Sequence, residues 1–185
     1  MKSSLPSHLC QTCLTHPPSF TLHRSFGKYE GILKEIILLF KFKGKRILGR
    51  KLAYFAYNVL KLNKEFLESE IIIPVPLHPK KERERGFNQC EVLALELAKL
   101  TNKKFFKNIL IKIKNTPPQS ILNLRERKNN VKGAFYVKNN SFIYNKNILL
   151  IDDIYTSGCT ILECSKVLKK AGAKKIFALT LAQAV

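Results

Sequence analysis

Two adjacent aspartates and a hydroxyl-rich turn are the residues best suited to chemistry. Asp152 and Asp153 follow the apolar run Asn147–Ile151, and the turn after them opens a helical pattern. Carboxylates accept hydrogen bonds from sugar hydroxyls, and free N–H groups at a helix N-terminus bind phosphate. A phosphorylated sugar presents both groups. The simpler alternative, a pair that only caps the helix, leaves the full pattern unexplained. The turn contributes Thr156, Ser157, Gly158, Cys159 and Thr160.

A parallel sheet would bring these residues to its ligand-binding edge. Short apolar runs alternate with segments of helical spacing, which predicts an α/β fold with right-handed crossovers. Ligands bind beyond the carboxyl ends of such strands. The charge run Lys80 to Arg85 and the basic segment 114–130 are predicted to be exposed loops. Strands are predicted at Glu70–Pro76, Phe105–Ile113, Ala134–Val137, Asn147–Ile151 and Lys175–Leu181, and helices at Tyr29–Lys43, Ile47–Leu60, Asn88–Leu100 and Ile161–Ala171.

The aspartate pair and its turn resemble the signature for 5-phosphoribosyl-1-pyrophosphate (PRPP) in type I phosphoribosyltransferases. The resemblance implies a Rossmann-like parallel sheet with an N-terminal helical hood. It also implies that Asp152 and Asp153 hold the ribose 2'- and 3'-hydroxyls, while residues 156–160 hold the 5'-phosphate. Some members carry an acidic residue for a purine nitrogen where Thr156 stands. Thr156 cannot play that role, which argues against a hypoxanthine or guanine enzyme.

Further segments, from about Tyr29 to Ala182, resemble the ComF family of competence-associated phosphoribosyltransferase-like proteins. This second resemblance implies a role in DNA uptake. The matching segments appear in the expected order. They are Lys41–Gly44, Ile73–Lys80, Arg83–Gln89, Thr116–Ser120 and Gly133–Phe135.

The pyrophosphate of PRPP needs cations or backbone donors near C1. Arg85 suits a bidentate phosphate contact, and Gly86 is expected to let backbone N–H groups face the diphosphate. The resemblance implies Mg²⁺ on the leaving group and a mobile lid over residues 114–130, in which Gln119, Arg125 and Arg127 would reach the ligand. A basic loop with no catalytic role is the alternative for that segment.

Cys10 and Cys13 have the spacing of a metal knuckle, but zinc normally takes four ligands. ComF proteins usually carry a four-cysteine zinc module, and only one pair is present here. Zn²⁺ binding is therefore doubtful, and residues 1–25 are interpreted as an irregular remnant of such a module. Residues 26–185 are predicted to form the phosphoribosyltransferase-like domain.

Net charge is the main compositional signal. The 185-residue chain carries 33 Lys+Arg against 13 Asp+Glu, a net charge of +20. Such an excess favours anionic partners, including single-stranded DNA, although a biased genome composition explains it equally well. No apolar run is long enough to span a bilayer and no signal peptide is present, so we expect a cytoplasmic protein without membrane insertion. The oligomeric state is left open.

Two functions fit these observations. One is a phosphoribosyltransferase that moves phosphoribosyl from PRPP to an unknown acceptor and releases pyrophosphate. The other is a non-catalytic, PRPP-responsive protein that binds single-stranded DNA during uptake. A PRPP synthetase is set aside, because that enzyme needs a second domain for ATP and this chain is too short to hold one.

Overall fold

A five-stranded parallel sheet forms the centre of the protein. The computed structural model describes residues 17–42, 46–117 and 123–184. The strands lie in the order β1-β7-β6-β2-β3, and every neighbouring pair is parallel. A separate antiparallel pair joins β4 to β5. The strands are β1 (Leu22–Lys28), β2 (Ile71–Pro74), β3 (Lys104–Phe105), β4 (Leu110–Lys112), β5 (Phe135–Val137), β6 (Asn147–Tyr155) and β7 (Lys175–Gln183).

Six α-helices connect these strands in the described part of the chain. Several begin at polar side chains that satisfy free N–H groups: Asn88 accepts from the Cys90 N–H at 3.0 Å, and Asn123 forms a reciprocal capping box with Glu126. The helices are α1 (Gly31–Phe42), α2 (Leu48–Leu62), α3 (Pro79–Arg85), α4 (Gln89–Thr101), α5 (Leu124–Val131) and α6 (Cys159–Lys170), and a 3₁₀ turn spans Lys64–Glu68.

The sheet is buried on both faces, which explains why its central strands are apolar runs without alternation. Along β6, Leu149 and Ile151 pack into a cluster with α2 and α4. Ile148 and Leu150 face the opposite cluster, which contains α6 and the β4–β5 pair. Successive residues of a strand point to opposite faces, and this alternation decides what the residues after Ile151 contact.

The predicted α/β architecture is confirmed, with several local corrections. Strand β6 continues to Tyr155 rather than ending at Ile151, so the two aspartates lie within it. The predicted strand 105–113 is two short strands, and the charge run 80–85 lies in α3. Part of the predicted loop 114–130 is α5, whose capping box starts a helix of polar residues.

The N-terminal strand β1 is the element that the sequence analysis missed. The predicted domain boundary between residues 25 and 26 falls inside it. Its polar side chains have partners in the fold: the Ser25 hydroxyl lies 2.7 Å from the Thr180 hydroxyl, and His23 Nε2 lies 3.1 Å from the same oxygen. Burial, with the nearby Arg24 charge, lowers the pKa of His23 to about 4, so its ring is neutral.

Across the residues that the structure describes, the helices are too short or too polar to cross a membrane.

Candidate functional site

The site is built around the last third of β6. Asp152 is 9% exposed and Asp153 is 5% exposed, so both carboxyls are nearly removed from water. Because neighbouring residues of a strand point to opposite faces, the two side chains meet different surroundings. Burying a charged group is costly unless a partner compensates it. The partners therefore decide what each carboxyl can do.

Asp153 is held as an anion. Its Oδ2 lies 2.8 Å from Lys41 Nζ, at the end of α1, and accepts a 2.8 Å hydrogen bond from the Gln89 amide at the start of α4. Arg85 in turn donates to the Gln89 side-chain oxygen at 2.6 Å. Burial raises the pKa of Asp153, but the Lys41 charge and these hydrogen bonds outweigh it and lower the pKa.

Lys41 is fixed in the charged state by the same contact. Burial lowers the pKa of Lys41, yet the Asp153 charge and hydrogen bond more than offset that effect, and the pKa is raised. Lys41 was part of a segment quoted for the family resemblance but was not predicted as a site residue. Only the tertiary structure brings it to Asp153.

Asp152 has neutral partners only. Its Oδ1 accepts a 2.9 Å hydrogen bond from the Asp153 N–H and lies 3.3 Å from the Cys90 thiol. Burial and the neighbouring Asp153 charge raise the pKa of Asp152 to about 7. Burial also raises the pKa of Cys90 well above its usual value, so that thiol is a neutral donor. Near neutral pH, Asp152 therefore exchanges a proton while Asp153 stays ionised.

Each carboxyl keeps an oxygen for a ligand. Among the described residues, Asp152 Oδ2 and Asp153 Oδ1 accept no hydrogen bond, since the contacts above all go to the other oxygen. A carboxylate oxygen has lone pairs for hydroxyl donors. The pair thus offers two acceptor atoms near the carboxyl end of the central strand β6.

The predicted anion turn leads into α6 as expected. Gly158 is the residue before the helix, with a φ of 73°, and no side chain caps the helix there. A side chain at this position would meet Tyr155, whose phenol oxygen would lie 2.3 Å from a β-carbon. Cys159 is buried in the core beneath the turn, so it can offer only its backbone. The first N–H groups of α6 are the donors at this turn, with Thr156 exposed beside them.

Two lysines that were not predicted as site residues are linked to Asp152 by charge: Lys112 interacts with Asp152, and Lys81 interacts with Lys112. Lys112, on β4, stacks over the Phe135 ring with its Nζ 5.5 Å from the centroid. Burial, together with the Lys81 charge, lowers the pKa of Lys112, while the Asp152 charge acts in the opposite direction. Lys81 donates to the Thr116 carbonyl. Lys81 belongs to the charge run after the first predicted strand, for which a solvated loop was the preferred interpretation, whereas no sequence signal distinguishes Lys112 from the other lysines of this basic chain.

The two residues predicted for the diphosphate have internal roles. Arg85 braces Gln89 and stacks on Phe42, with 5.2 Å from its guanidinium carbon to the ring centroid. The Gly86 N–H donates to the Glu82 carbonyl at 2.8 Å and closes α3. The helix end therefore uses the N–H of Gly86 itself, and the expectation that Gly86 lets neighbouring backbone N–H groups face a diphosphate stays a prediction.

The predicted lid lies partly in α5. Arg125 is exposed there and Arg127 is half-buried, while Gln119 lies outside the described residues. Within the segment, the Asn130 amide donates to the Pro117 carbonyl at 3.2 Å. Just after the segment, the Gly133 N–H donates to Glu163 on α6 at 2.8 Å and ties the chain to that helix. A closing movement of this segment stays a prediction.

Mg²⁺ was predicted on the pyrophosphate of PRPP and Zn²⁺, doubtfully, at Cys10 and Cys13, and the structure adds a cluster that was not predicted. Ligand atoms of Cys90, Asp152 and Asp153 lie within 4.8 Å of one another. The free carboxylate oxygens suit Mg²⁺, which prefers oxygen ligands, whereas the protonated Cys90 thiol does not. The predicted zinc ligands Cys10 and Cys13 lie outside the described residues.

Comparison with known proteins identifies the family. Competence protein F of Haemophilus influenzae is 34% identical over 180 residues, which cover 95% of this chain and 78% of that protein. The chain belongs to the ComF family. Other ComF-like relatives include Competence protein ComFC of Streptococcus pneumoniae, 34% identical over 83% of this chain and 64% of that protein. DNA utilization protein YhgH of Escherichia coli K12 is 26% identical over 92% of this chain and 76% of that protein.

The predicted ComF membership is thereby confirmed, although no protein-family model matches the chain. Solved structures give weaker similarity. The glutamine PRPP amidotransferase of B. subtilis, complexed with ADP and GMP, aligns with a TM-score of 0.45 and 17% identity, covering 73% of this chain and 25% of that one. A hypoxanthine phosphoribosyltransferase of Staphylococcus aureus aligns with a TM-score of 0.44 and 14% identity, covering 73% and 64%. These values are too low to bear on function.

Proposed function

We propose that this ComF protein binds PRPP and transfers its phosphoribosyl group to an acceptor, releasing pyrophosphate. One observation carries the proposal: a buried pair of carboxyls, each with an oxygen that accepts no hydrogen bond from the described residues, precedes a helix N-terminus that no side chain caps. A ligand that fits both features is a small molecule with neighbouring hydroxyls for the carboxyls and a phosphate for the helix N-terminus. Ribose 5-phosphate has both groups.

The ribose hydroxyls would donate to the two free carboxyl oxygens. Hydrogen bonds to a charged acceptor contribute roughly 1.5–3 kcal/mol each. Asp153 is the fixed anion, because Lys41 and Gln89 hold it in place. Asp152 becomes a better acceptor once it loses its proton, so ligand binding and deprotonation of Asp152 would favour each other.

The 5'-phosphate would occupy the turn 156–160. Backbone N–H groups at the start of α6 and the helix dipole stabilise an anion there without any lysine or arginine. Gly158 keeps the turn open to the backbone, because its positive φ and the adjacent Tyr155 both exclude a side chain. The hydroxyl of Thr156 adds an exposed donor.

The transfer step breaks the C1–O bond to pyrophosphate and forms a bond from C1 to the acceptor, which gives up a proton. Lys112, whose charge interacts with that of Asp152, and Lys81, whose charge interacts with that of Lys112, would attract the pyrophosphate. Bound Mg²⁺ would neutralise charge on the leaving group, and the carboxyl oxygens of Asp152 and Asp153 would be its protein ligands.

Calorimetric titration with PRPP and Mg²⁺ tests the binding part. We expect millimolar or tighter binding by the native chain and loss of binding when Asp152 and Asp153 are both changed to Asn. Glu163→Gln, which removes a carboxylate from α6 outside the pair, is the matched control and should bind normally. Equal titration curves for the native chain and the double variant would refute the site.

An acceptor screen tests the transfer part. Pyrophosphate release that requires both PRPP and an added nucleophile would support transfer. PRPP binding without release for any base or amine would instead support the second candidate below, because the same site would then serve as a sensor.

The second candidate is a PRPP-responsive protein that binds single-stranded DNA without transfer chemistry. The net charge of +20 favours it, as do the names of relatives linked to competence and DNA utilization. Phosphate contacts would make DNA affinity fall steeply with added salt. A change in that affinity on addition of PRPP distinguishes a sensor from an enzyme that merely carries basic charge.

A further inference from the structure

A groove between α2 and α4 shares no lining residue with the PRPP site. It has a volume of about 1370 Å³. Its apolar lining is unusually open to solvent: Ile47 is 83% exposed, Tyr54 is 53% exposed and Leu95 is 39% exposed. The floor continues onto β1, where Phe26 stacks on Phe55 with 4.7 Å between ring centroids. Contiguous exposed apolar surface of this kind typically marks an interaction site.

The acidic residues of the groove are paired with lysines, whereas two of its basic residues are not paired with acids in the described part of the chain. On the α4 wall, Glu96 pairs with Lys99 at 2.6 Å and Glu91 pairs with Lys107 at 2.8 Å, so both acids are neutralised within the protein. On the α2 wall, Arg50 and Lys51 line the groove. Within the ranges that the structure describes, neither of these two cations has an acidic partner.

We propose that this groove binds an acidic amphipathic helix of another protein. The apolar face of such a helix would lie on Ile47, Tyr54 and Leu95, and its carboxylates would meet Arg50 and Lys51. The α2 helix has 15 residues and is therefore about 22 Å long, which suits a partner helix of four turns. Apolar anchors at i, i+3, i+4 and i+7 are the usual way in which a helix fills a groove.

Other occupants fit less well. Single-stranded nucleic acid binds on rows of exposed aromatic rings in a basic channel. Here the lining has four aliphatic residues, Ile47, Val92, Leu95 and Leu100, against the two aromatic rings of Tyr54 and Phe55. A second copy of this chain would bring a net charge of +20 to a wall that is already basic, which disfavours self-association.

The absence of tryptophan from the chain provides a direct test. Tyr54→Trp places a single indole in the groove, and Tyr136→Trp is a matched control because Tyr136 is also 53% exposed but lies on β5. The probe is a synthetic peptide of about 18 residues with leucines in an i, i+3, i+4, i+7 stripe and glutamates elsewhere. We expect a saturable blue shift with the Tyr54→Trp protein and none with the control. A peptide of the same composition with shuffled leucines should bind at least about tenfold more weakly, since it cannot form one apolar face.

Charge reversal then tests the basic wall. Arg50→Glu with Lys51→Glu should weaken peptide binding by about tenfold, whereas Lys166→Glu with Lys170→Glu on α6 changes the net charge equally and should change binding less than about twofold. Three results would overturn the proposal: equal weakening by both pairs, tighter binding of a thymidine oligonucleotide than of the peptide to the Tyr54→Trp protein, or a blue shift caused by protein concentration alone.

Discussion

Replacing Asp152 with Asn should stabilise the protein at neutral and alkaline pH, although it removes a proposed ligand-binding residue. Asp152 is buried without a direct ion pair among the described residues, and burial and the Asp153 charge raise its pKa from 3.8 to about 7 against the smaller opposing effect of the Lys41 charge. An amide keeps an oxygen for the Cys90 thiol and the Asp153 N–H, so both existing contacts can persist. The substitution therefore removes an ionisation that the fold disfavours.

The direction of the pH dependence follows from linkage. A carboxyl whose pKa is higher in the folded state binds its proton more tightly there, so its contribution to stability is complete below about pH 4 and is lost as pH rises to about 7. The difference between 3.8 and about 7, at 1.36 kcal/mol per pH unit, corresponds to a loss of about 4 kcal/mol. We expect Asp152→Asn to match the native chain near pH 4 and to exceed it by about 2–4 kcal/mol at pH 8.

Urea unfolding followed by circular dichroism at several pH values measures this difference. The adjacent substitution Asp153→Asn is the matched control and should have the opposite sign, because it leaves the buried Lys41 ammonium without its carboxylate. If Asp152→Asn destabilises the protein equally at pH 4 and pH 8, the reasoning about Asp152 is wrong, since a packing defect and not an ionisation would then dominate.

Three further outcomes are expected. Lys41→Met should cost about 3 kcal/mol in urea unfolding because it leaves a buried carboxylate unpaired, whereas Lys99→Met, which breaks an exposed pair, should cost less than about 1 kcal/mol. Gly158→Ala should lower stability more than Gly86→Ala. Both glycines have a positive φ, but a β-carbon would meet the Tyr155 phenol ring at Gly158 and nothing within 4 Å at Gly86. The difference between the thermal unfolding midpoints of the two variants measures that clash. Binding of Mg²⁺ and PRPP near pH 7 should release protons from Asp152 in addition to those that the ligand phosphates release, so the calorimetric heat should depend more strongly on the buffer's ionisation enthalpy in the native chain than in Asp152→Asn.

The sequence was sufficient to predict those strands, helices and turns that depend on residues close together in the chain. Buried parallel strands are apolar throughout, so the run before Asp152 and the run Ile71–Ile73 are recognisable without tertiary information. The helix α4 was predicted within one residue at each end, because its apolar positions recur with helical spacing and Asn88 marks its start. The turn into α6 was likewise located by its glycine and hydroxyls.

Features that depend on distant pairing were missed. Strand β1 is polar and at an edge of the sheet, and it forms only by pairing with β7 at the other end of the chain. Its polar residues gain partners such as Thr180 only after that pairing, so no local pattern identifies the strand. The short strand β4 also depends on distant pairing, because it pairs with β5. Lys112 on β4 interacts with the charge of Asp152, and no local sequence pattern predicts that interaction.

The aspartate pair shows why a motif alone does not assign chemistry. The sequence presents Asp152 and Asp153 as equivalent neighbours, and the resemblance gives them the same task. Strand alternation separates them, and the fold then supplies a lysine and an amide to one carboxyl and only neutral donors to the other. Burial and the Asp153 charge raise the pKa of Asp152, while the Lys41 charge lowers it, so the ion pair between Lys41 and Asp153 acts on Asp152 in two opposing ways. If PRPP binds as proposed, its hydroxyls would give Asp152 the donors that the fold does not supply, and Asp152 would be the carboxyl whose ionisation changes on binding.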